Sequence, residues 1–208
     1  MGFQSRVIPT SDAFAQNRAD MLALVEKLRG LEQRAADLSE KRRPRFEQRG
    51  QITPRERLAR LLDPGMPFLR LHSLAGYMVD TKKEEKSIPG SSTIAGIGFV
   101  NGVRAMVWSD DSGIKAGAMG PKSLPTALSV QKMALRHKLP LIHLVESAGA
   151  NLVEYEVDLW AHGGGVFYNL ARMSASGANL QPLKYILACD PSKNADIFSC
   201  LAWAAYVK

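Results

Sequence analysis

Cysteine is nearly missing from this 208-residue sequence: only Cys189 and Cys200 occur. There is no Cys-x-x-Cys, and their spacing fits no zinc pattern, which argues against a thiolate metal site and a disulfide framework. Free thiols fit a reducing compartment. Histidine is also sparse, and His72, His137, His143 and His162 stand at no metal-ligand spacing, so no metal is expected. No run approaches the ~20 apolar residues that span a bilayer. The first residues, MGFQSRVIPTSDAF, lack the apolar core of a secretory signal. The expectation is a cytoplasmic chain with no membrane contact. A Gly-x-x-x-x-Gly-Lys-Ser/Thr and a strand-linked Gly-x-Gly-x-x-Gly are both missing, which removes the common nucleotide-fold signatures.

A hydrophobic fraction of 46% is ordinary for a globular core, and the length allows one domain or one and a half. The net charge of +7 is unevenly spread. Lys41, Arg42, Arg43, Arg45, Arg49, Arg55, Arg57 and Arg60 crowd one stretch, opposed only by Glu47 and Glu56. Such a cluster attracts phosphates of a nucleotide cofactor, a nucleic acid or an acidic partner, or it is a solvated basic face. Nucleic acid is disfavoured because Phe46 is the cluster's only aromatic, which leaves no stacking platform.

Periodicity predicts a helix from Ser11 to about Ser39, with Ser11 as N-cap and one apolar stripe through Phe14, Met21, Leu24, Leu28, Leu31 and Leu38. A basic link follows. Thr53-Pro54-Arg55-Glu56 opens a short helix through Leu62, stopped by Asp63-Pro64-Gly65. Phe68–Tyr77 is a candidate strand with a turn at Gly76, and Lys82–Lys86 a solvated loop. Ile94–Val100 and Val103–Ser109 read as strands joined by Asn101-Gly102, the residue pair that a type I′ turn favours. Gly96 and Gly98 share one strand face and predict close approach of another backbone there. Asp110–Gly120 is a loop, Ser123–His137 a helix and Asp158–Ser176 another. Gly163-Gly164-Gly165 in the last of these predicts close packing or a kink.

Leu141–Val145 is an apolar run suited to a buried strand, and His143 on it is expected to be a hydrogen-bonded core residue. The run leads into Glu146-Ser147-Ala148-Gly149-Ala150, a small-residue loop where a ligand could approach backbone N–H groups. An ordinary core strand with a turn is the alternative. The order strand, strand, helix, strand, helix fits a repeating β-β-α unit better than a doubly wound sheet.

Several ordered motifs together resemble the carboxyltransferase (β) subunits of biotin-dependent acyl-CoA carboxylases. They are Arg49-Gly50, Thr53-Pro54-Arg55-Glu56-Arg57, Leu61-Leu62-Asp63-Pro64-Gly65, Phe68, Gly96-Ile97-Gly98, Asn101-Gly102 and Lys115-Ala116-Gly117. Glu146-Ser147-Ala148-Gly149-Ala150-Asn151-Leu152 and the His162-x-Gly164-x-x-Phe167-x-Asn169-x-Ala171-x-Met173-Ser174-Ala175-x-Gly177 series complete them. Lys115 and the Ala-Asn-Leu ending resemble the 3-methylcrotonyl-CoA and geranyl-CoA type. The resemblance covers about Arg49–Gly177 well and Ser11–Ser39 loosely. It implies an α/β, crotonase-like fold of stacked β-β-α units, here incomplete and preceded by an N-terminal helix. The implied division is 1–48 helix and basic link, 49–177 part of the N-terminal carboxyltransferase domain, and 178–208 a divergent tail.

The implied reaction moves a carboxyl group from carboxybiotin, carried by a biotin carboxylase/biotin carrier (α) partner subunit, to an acyl-CoA. An enolate forms on the acyl group, and backbone N–H groups stabilise its oxyanion, so no side-chain nucleophile is needed and no catalytic side chain is assigned. The resemblance also implies homo-oligomeric β subunits. Ser147, Ala148, Gly149 and Ala150 are expected to line the acyl-CoA site through their backbone, with Lys115 and Gly117 near CoA. Arg49, Arg55 and Arg57 are expected at CoA phosphates or at a neighbouring subunit, although Arg-Glu-Arg on a short helix is also a common salt-bridged surface.

Three departures carry expectations. Ala148 stands where the family commonly has glycine, which predicts strain if that position needs φ > 0, and Ala116 replaces the first glycine of a common Lys-Gly-Gly. Pro125 and Thr126 replace a usually basic pair, which moves a helix start rather than breaking it. After Gly177 the family's Ala-Gly-Gly-Ala loop and C-domain do not follow. The stretch 178–208 reads as an altered frame or aberrant terminus, or else as a cap with a strand Lys184–Cys189 and a helix Asp196–Val207. The expectation is an inactive N-terminal part; a non-catalytic CoA-binding or interaction fragment is the alternative, and a nucleic-acid binder the third class.

Overall fold

A computed structural model describes residues 4–79, 81–90, 92–150 and 156–176. The strand and helix expected within 178–208 lie outside the described residues.

Helix α1 (Asp12–Glu40) begins at Ser11, whose hydroxyl accepts from the Phe14 N–H, the N-cap bond that leaves one fewer orphan donor. Only its C-terminal end is buried, through Leu31, Ala35 and Ser39. Arg34 reaches from it to the carbonyls of Glu84 (2.5 Å) and Ser87 (3.2 Å). The charged loop Lys82–Lys86 is therefore tied to α1, and Glu84–Lys86 forms a 3₁₀ turn. Within the basic link lies a short helix not foreseen, α2 (Arg43–Glu47), started by Pro44 in its first turn. Helix α3 (Pro54–Leu61) has a full capping box between Thr53 and Glu56.

Strand β1 (Leu69–Leu71) is far shorter than the Phe68–Tyr77 expected. His72, Gly76 and Met78 take φ of 55°, 72° and 59°, and this left-handed backbone ends extension after Leu71. Strands β2 (Thr93–Val100) and β3 (Val103–Asp110) form the expected hairpin. Asn101 and Gly102 have φ of 52° and 75°, the paired positive values of a type I′ turn. Helix α4 (Leu124–His137) carries Pro125 in its first turn, as expected of a shifted start. It crosses over to β4 (Leu141–Leu144), which pairs with β3 in parallel. Helix α5 (Val157–Ala175) follows.

The sheet order is β1-β2-β3-β4, with β1/β2 and β2/β3 antiparallel. One face packs Ala95, Met106 and Trp108 against Ala127, Val130 and Ala134 of α4 and Met173 of α5. The opposite face packs Ile94, Ala105 and Val107 with Leu58, Leu62 and Phe68. Gly96 makes the second packing possible: a Cβ there would lie 2.5 Å from the Leu69 carbonyl oxygen and from the Phe68 ring. The close backbone approach read from the sequence is at this glycine. Strand β4 was expected to be buried but is half-buried along its length, because it is the edge of the described sheet. Of the three consecutive glycines in α5, only Gly165 packs tightly, its Cβ position 3.0 Å from Leu128, and the helix runs unbroken through all of them.

Candidate functional site

The parallel pairing of β3 and β4 puts the C-terminal ends of both strands side by side, the usual position for a site in such sheets. Two loops leave from there. The first, after β3, contains a 3₁₀ turn at Lys115–Gly117 with Lys115 and Ala116 at φ 46° and 53°. The second is Glu146–Ala150. They are bonded backbone to backbone. The Ala148 N–H donates to the Ala116 carbonyl (3.0 Å), and the Met119 N–H donates to the Gly149 carbonyl (2.8 Å). The Ser147 hydroxyl donates to the Gly117 carbonyl (2.7 Å) and accepts from the Gly149 N–H (3.0 Å). Gly117 packs so closely that a Cβ would overlap the Glu146 carbonyl oxygen. Lys115, Gly117, Ser147, Ala148, Gly149 and Ala150 are thus brought together as one unit.

The strain conditionally expected at Ala148 is not found there; it falls instead at Ala116, where none was expected. Gly149 takes the left-handed backbone of the second loop (φ 87°), and Ala148 does not; in the first loop Ala116 does. The amides of Ala148 and Gly149 already donate within the protein, so they are not free backbone donors, contrary to the expectation that these residues offer their N–H groups to a ligand.

A cleft of about 470 Å³ opens in front of these loops. That is within the range of small-molecule sites. Arg42, Arg45 and Arg49 form one side; Lys115, Ala116, Glu146 and Ser147 form the other. Arg42, Arg45 and Arg49 have no ion pair among the described residues. Arg57 also reaches the cleft, where it pairs with Glu146 and so ties α3 to the start of the second loop. Phe46 is buried at the base and offers no stacking face. Among the described residues, no group of His, Cys, Asp or Glu could hold a metal ion, and no helix is long and apolar enough to cross a membrane.

Arg55 does not join the cleft. Its Nε lies 3.5 Å from Asp111 Oδ2, inside the fold. Asp111 is fully buried and accepts from the Ser39 hydroxyl (2.5 Å) and the Gly113 N–H (3.2 Å). Burial pushes its carboxyl up from the usual value, against the pull of Ser39 and Arg55. Burial likewise lowers the Arg55 and Arg57 guanidiniums. This cluster joins α1, α3 and the first loop, and nothing local in the sequence marks Asp111. Arg42 and Arg45 were legible only as members of the basic cluster.

Residues 45–178 match the family described as the carboxyl transferase domain. The chain is 38% identical over 172 residues to the biotin-dependent 3-methylcrotonyl-coenzyme A carboxylase β1 subunit of Mycobacterium tuberculosis, covering 81% of this chain and 29% of that protein. It is 33% identical over 207 residues to the probable mitochondrial methylcrotonoyl-CoA carboxylase β chain of Drosophila melanogaster, covering 98% of this chain and 33% of that one. The chain therefore spans about a third of the length of these curated relatives. Among solved structures, the geranyl-CoA carboxylase β subunit of P. aeruginosa superposes with a TM-score of 0.75 at 46% identity, over 83% of this chain and 32% of that chain. Transcarboxylase 12S shares the fold, with a TM-score of 0.59 at 23% identity over 76% of this chain and 30% of that one. The fold is that of the crotonase-like carboxyltransferase domains, present here in part, and the chain belongs to the carboxyl transferase domain family.

Proposed function

We propose that this chain carries the acyl-CoA-binding part of a carboxyltransferase β subunit of the methylcrotonyl-CoA and geranyl-CoA type. The observation that supports it most is the cleft itself. Arg42, Arg45 and Arg49, without acidic partners among the described residues, face Lys115 and the joined loops Lys115–Met119 and Glu146–Ala150. A ligand with phosphates at one end and a neutral acyl chain at the other matches that polarity. In this reading the arginines take CoA phosphates, and Gly117 and Ser147–Ala150 form one wall of the acyl end. Arg49 keeps the role first named for it; Arg57 instead ties α3 to the second loop through its pair with Glu146, and Arg55 holds the fold.

The carboxyl donor is then carboxybiotin on a biotin carboxylase/biotin carrier partner, a substrate of this step rather than a resident group. The family pattern also supports homo-oligomeric β subunits and a 49–177 unit, although Arg42 and Arg45 draw the preceding link into the site. Calorimetry with methylcrotonyl-CoA, CoA and dephospho-CoA tests the reading. Micromolar binding that weakens about tenfold in Arg45→Ala, about 1.4 kcal/mol, supports it. No binding, or equal affinity for a nucleic acid of any sequence, overturns it.

A further inference from the structure

Beneath the second loop lies a buried polar group that ligand binding does not explain. Asp110 ends β3 and shares a face with Trp108, since side chains alternate along a strand. The parallel register sets Trp108 beside His143, and their rings stack at 3.6 Å between centroids with 13° between planes. Asp110 is 5% exposed, and three nitrogens converge on its carboxylate. The Trp108 indole N–H donates to Oδ1 (3.1 Å); the backbone N–H of Glu146 donates to Oδ2 (3.2 Å); His143 Nε2 lies 3.1 Å from Oδ2. A carboxylate only accepts, so the imidazole contact is a hydrogen bond when Nε2 carries the proton.

We propose that Asp110 is a positioning residue for the acyl-CoA wall. It fixes the point where Glu146–Ala150 leaves β4 and holds His143 in the Nε2–H tautomer, with Nδ1 as the ring's acceptor. This inference rests on the reading of that loop as part of the site. Aspartate is required because donors meet both of its oxygens. An asparagine has one oxygen, and its NH₂ would face an N–H on one side, leaving a buried donor unmet.

The test uses the full chain and needs no variant to begin. Long-range ¹H–¹⁵N spectra of the His143 ring should show a protonated Nε2 and a bare Nδ1; a protonated Nδ1 in the neutral ring overturns the assignment. In Asp110→Asn, the Ala148 and Gly149 amides should exchange with solvent about tenfold faster while α4 amides keep their protection. Unchanged exchange in Asp110→Asn, or equal loosening of α4, overturns the proposal. Methylcrotonyl-CoA affinity should fall about tenfold in Asp110→Asn. If the wild-type chain binds no acyl-CoA, the functional reading fails, while the tautomer and the exchange still decide whether Asp110 positions the loop.

Discussion

Glu56 caps α3 and bonds to Arg43, Thr53 N–H and the Thr53 hydroxyl, and these partners hold its carboxyl at about 2, below the usual 4.5. A carboxyl depressed in the folded state contributes stability that is present above its unfolded value. That stability is lost as pH falls from 4.5 towards about 2. Asp111 has the opposite sign, because burial raises its carboxyl, so its contribution fades as pH rises through the folded value. Glu56→Gln keeps the capping geometry and removes the titration. Thermal midpoints measured between pH 5 and 2 should therefore fall less steeply in Glu56→Gln than in the wild type.

Ala116 offers a second residue-scale expectation. An L-residue in left-handed backbone is strained by about 1–2 kcal/mol, partly offset in glycine by a more flexible unfolded chain. Ala116→Gly should raise stability by about 0.5–1 kcal/mol in urea titrations. Ala148→Gly should not, because Ala148 is outside that region.

At the scale of elements, the hairpin, α1, α3 and α4 were legible from period, caps and the Asn101-Gly102 pair, since each signal is local. The limits of β1 were not. They depend on His72 and Met78 adopting a backbone that their side chains do not announce. The destination of Arg55 was hidden for a different reason: it depends on Asp111, distant in sequence and buried only after α1, α3 and β3 meet. Gly96 and Gly98 let the Phe68 segment lie on the sheet, but their neighbours differ. A methyl at Gly96 meets backbone at 2.5 Å, whereas at Gly98 it meets the Leu62 side chain at 2.5 Å, which can turn aside. Gly96→Ala should destabilise by about 2–3 kcal/mol and Gly98→Ala by about 1 kcal/mol, read from denaturant midpoints.

For the whole molecule, α2 folds the basic excess against the ends of β3 and β4, where it lines the cleft. Composition showed the charge; only the tertiary placement shows which arginines have no ion pair among the described residues. Acyl-CoA affinity should therefore fall as salt rises, and the slope should flatten in an Arg45→Ala, Arg49→Ala double variant. Large apolar side chains also stay exposed on α1 (Met21, Leu24) and α5 (Val157, Phe167, Tyr168). Exposed patches of this kind mark contact surfaces, so the sedimentation coefficient should rise with concentration.

The contact of Gly117 with the Glu146 carbonyl has a further consequence. The two loops leave no gap at that point, so neither can swing away without breaking their shared bonds. On the function proposed above, adjustment to ligands of different length comes from the opposite bank, where Arg42, Arg45 and Arg49 stand on long, rotatable stems. The cleft has one rigid jaw and one compliant one, and variation in acyl size should be felt in how the arginines settle rather than in the loops.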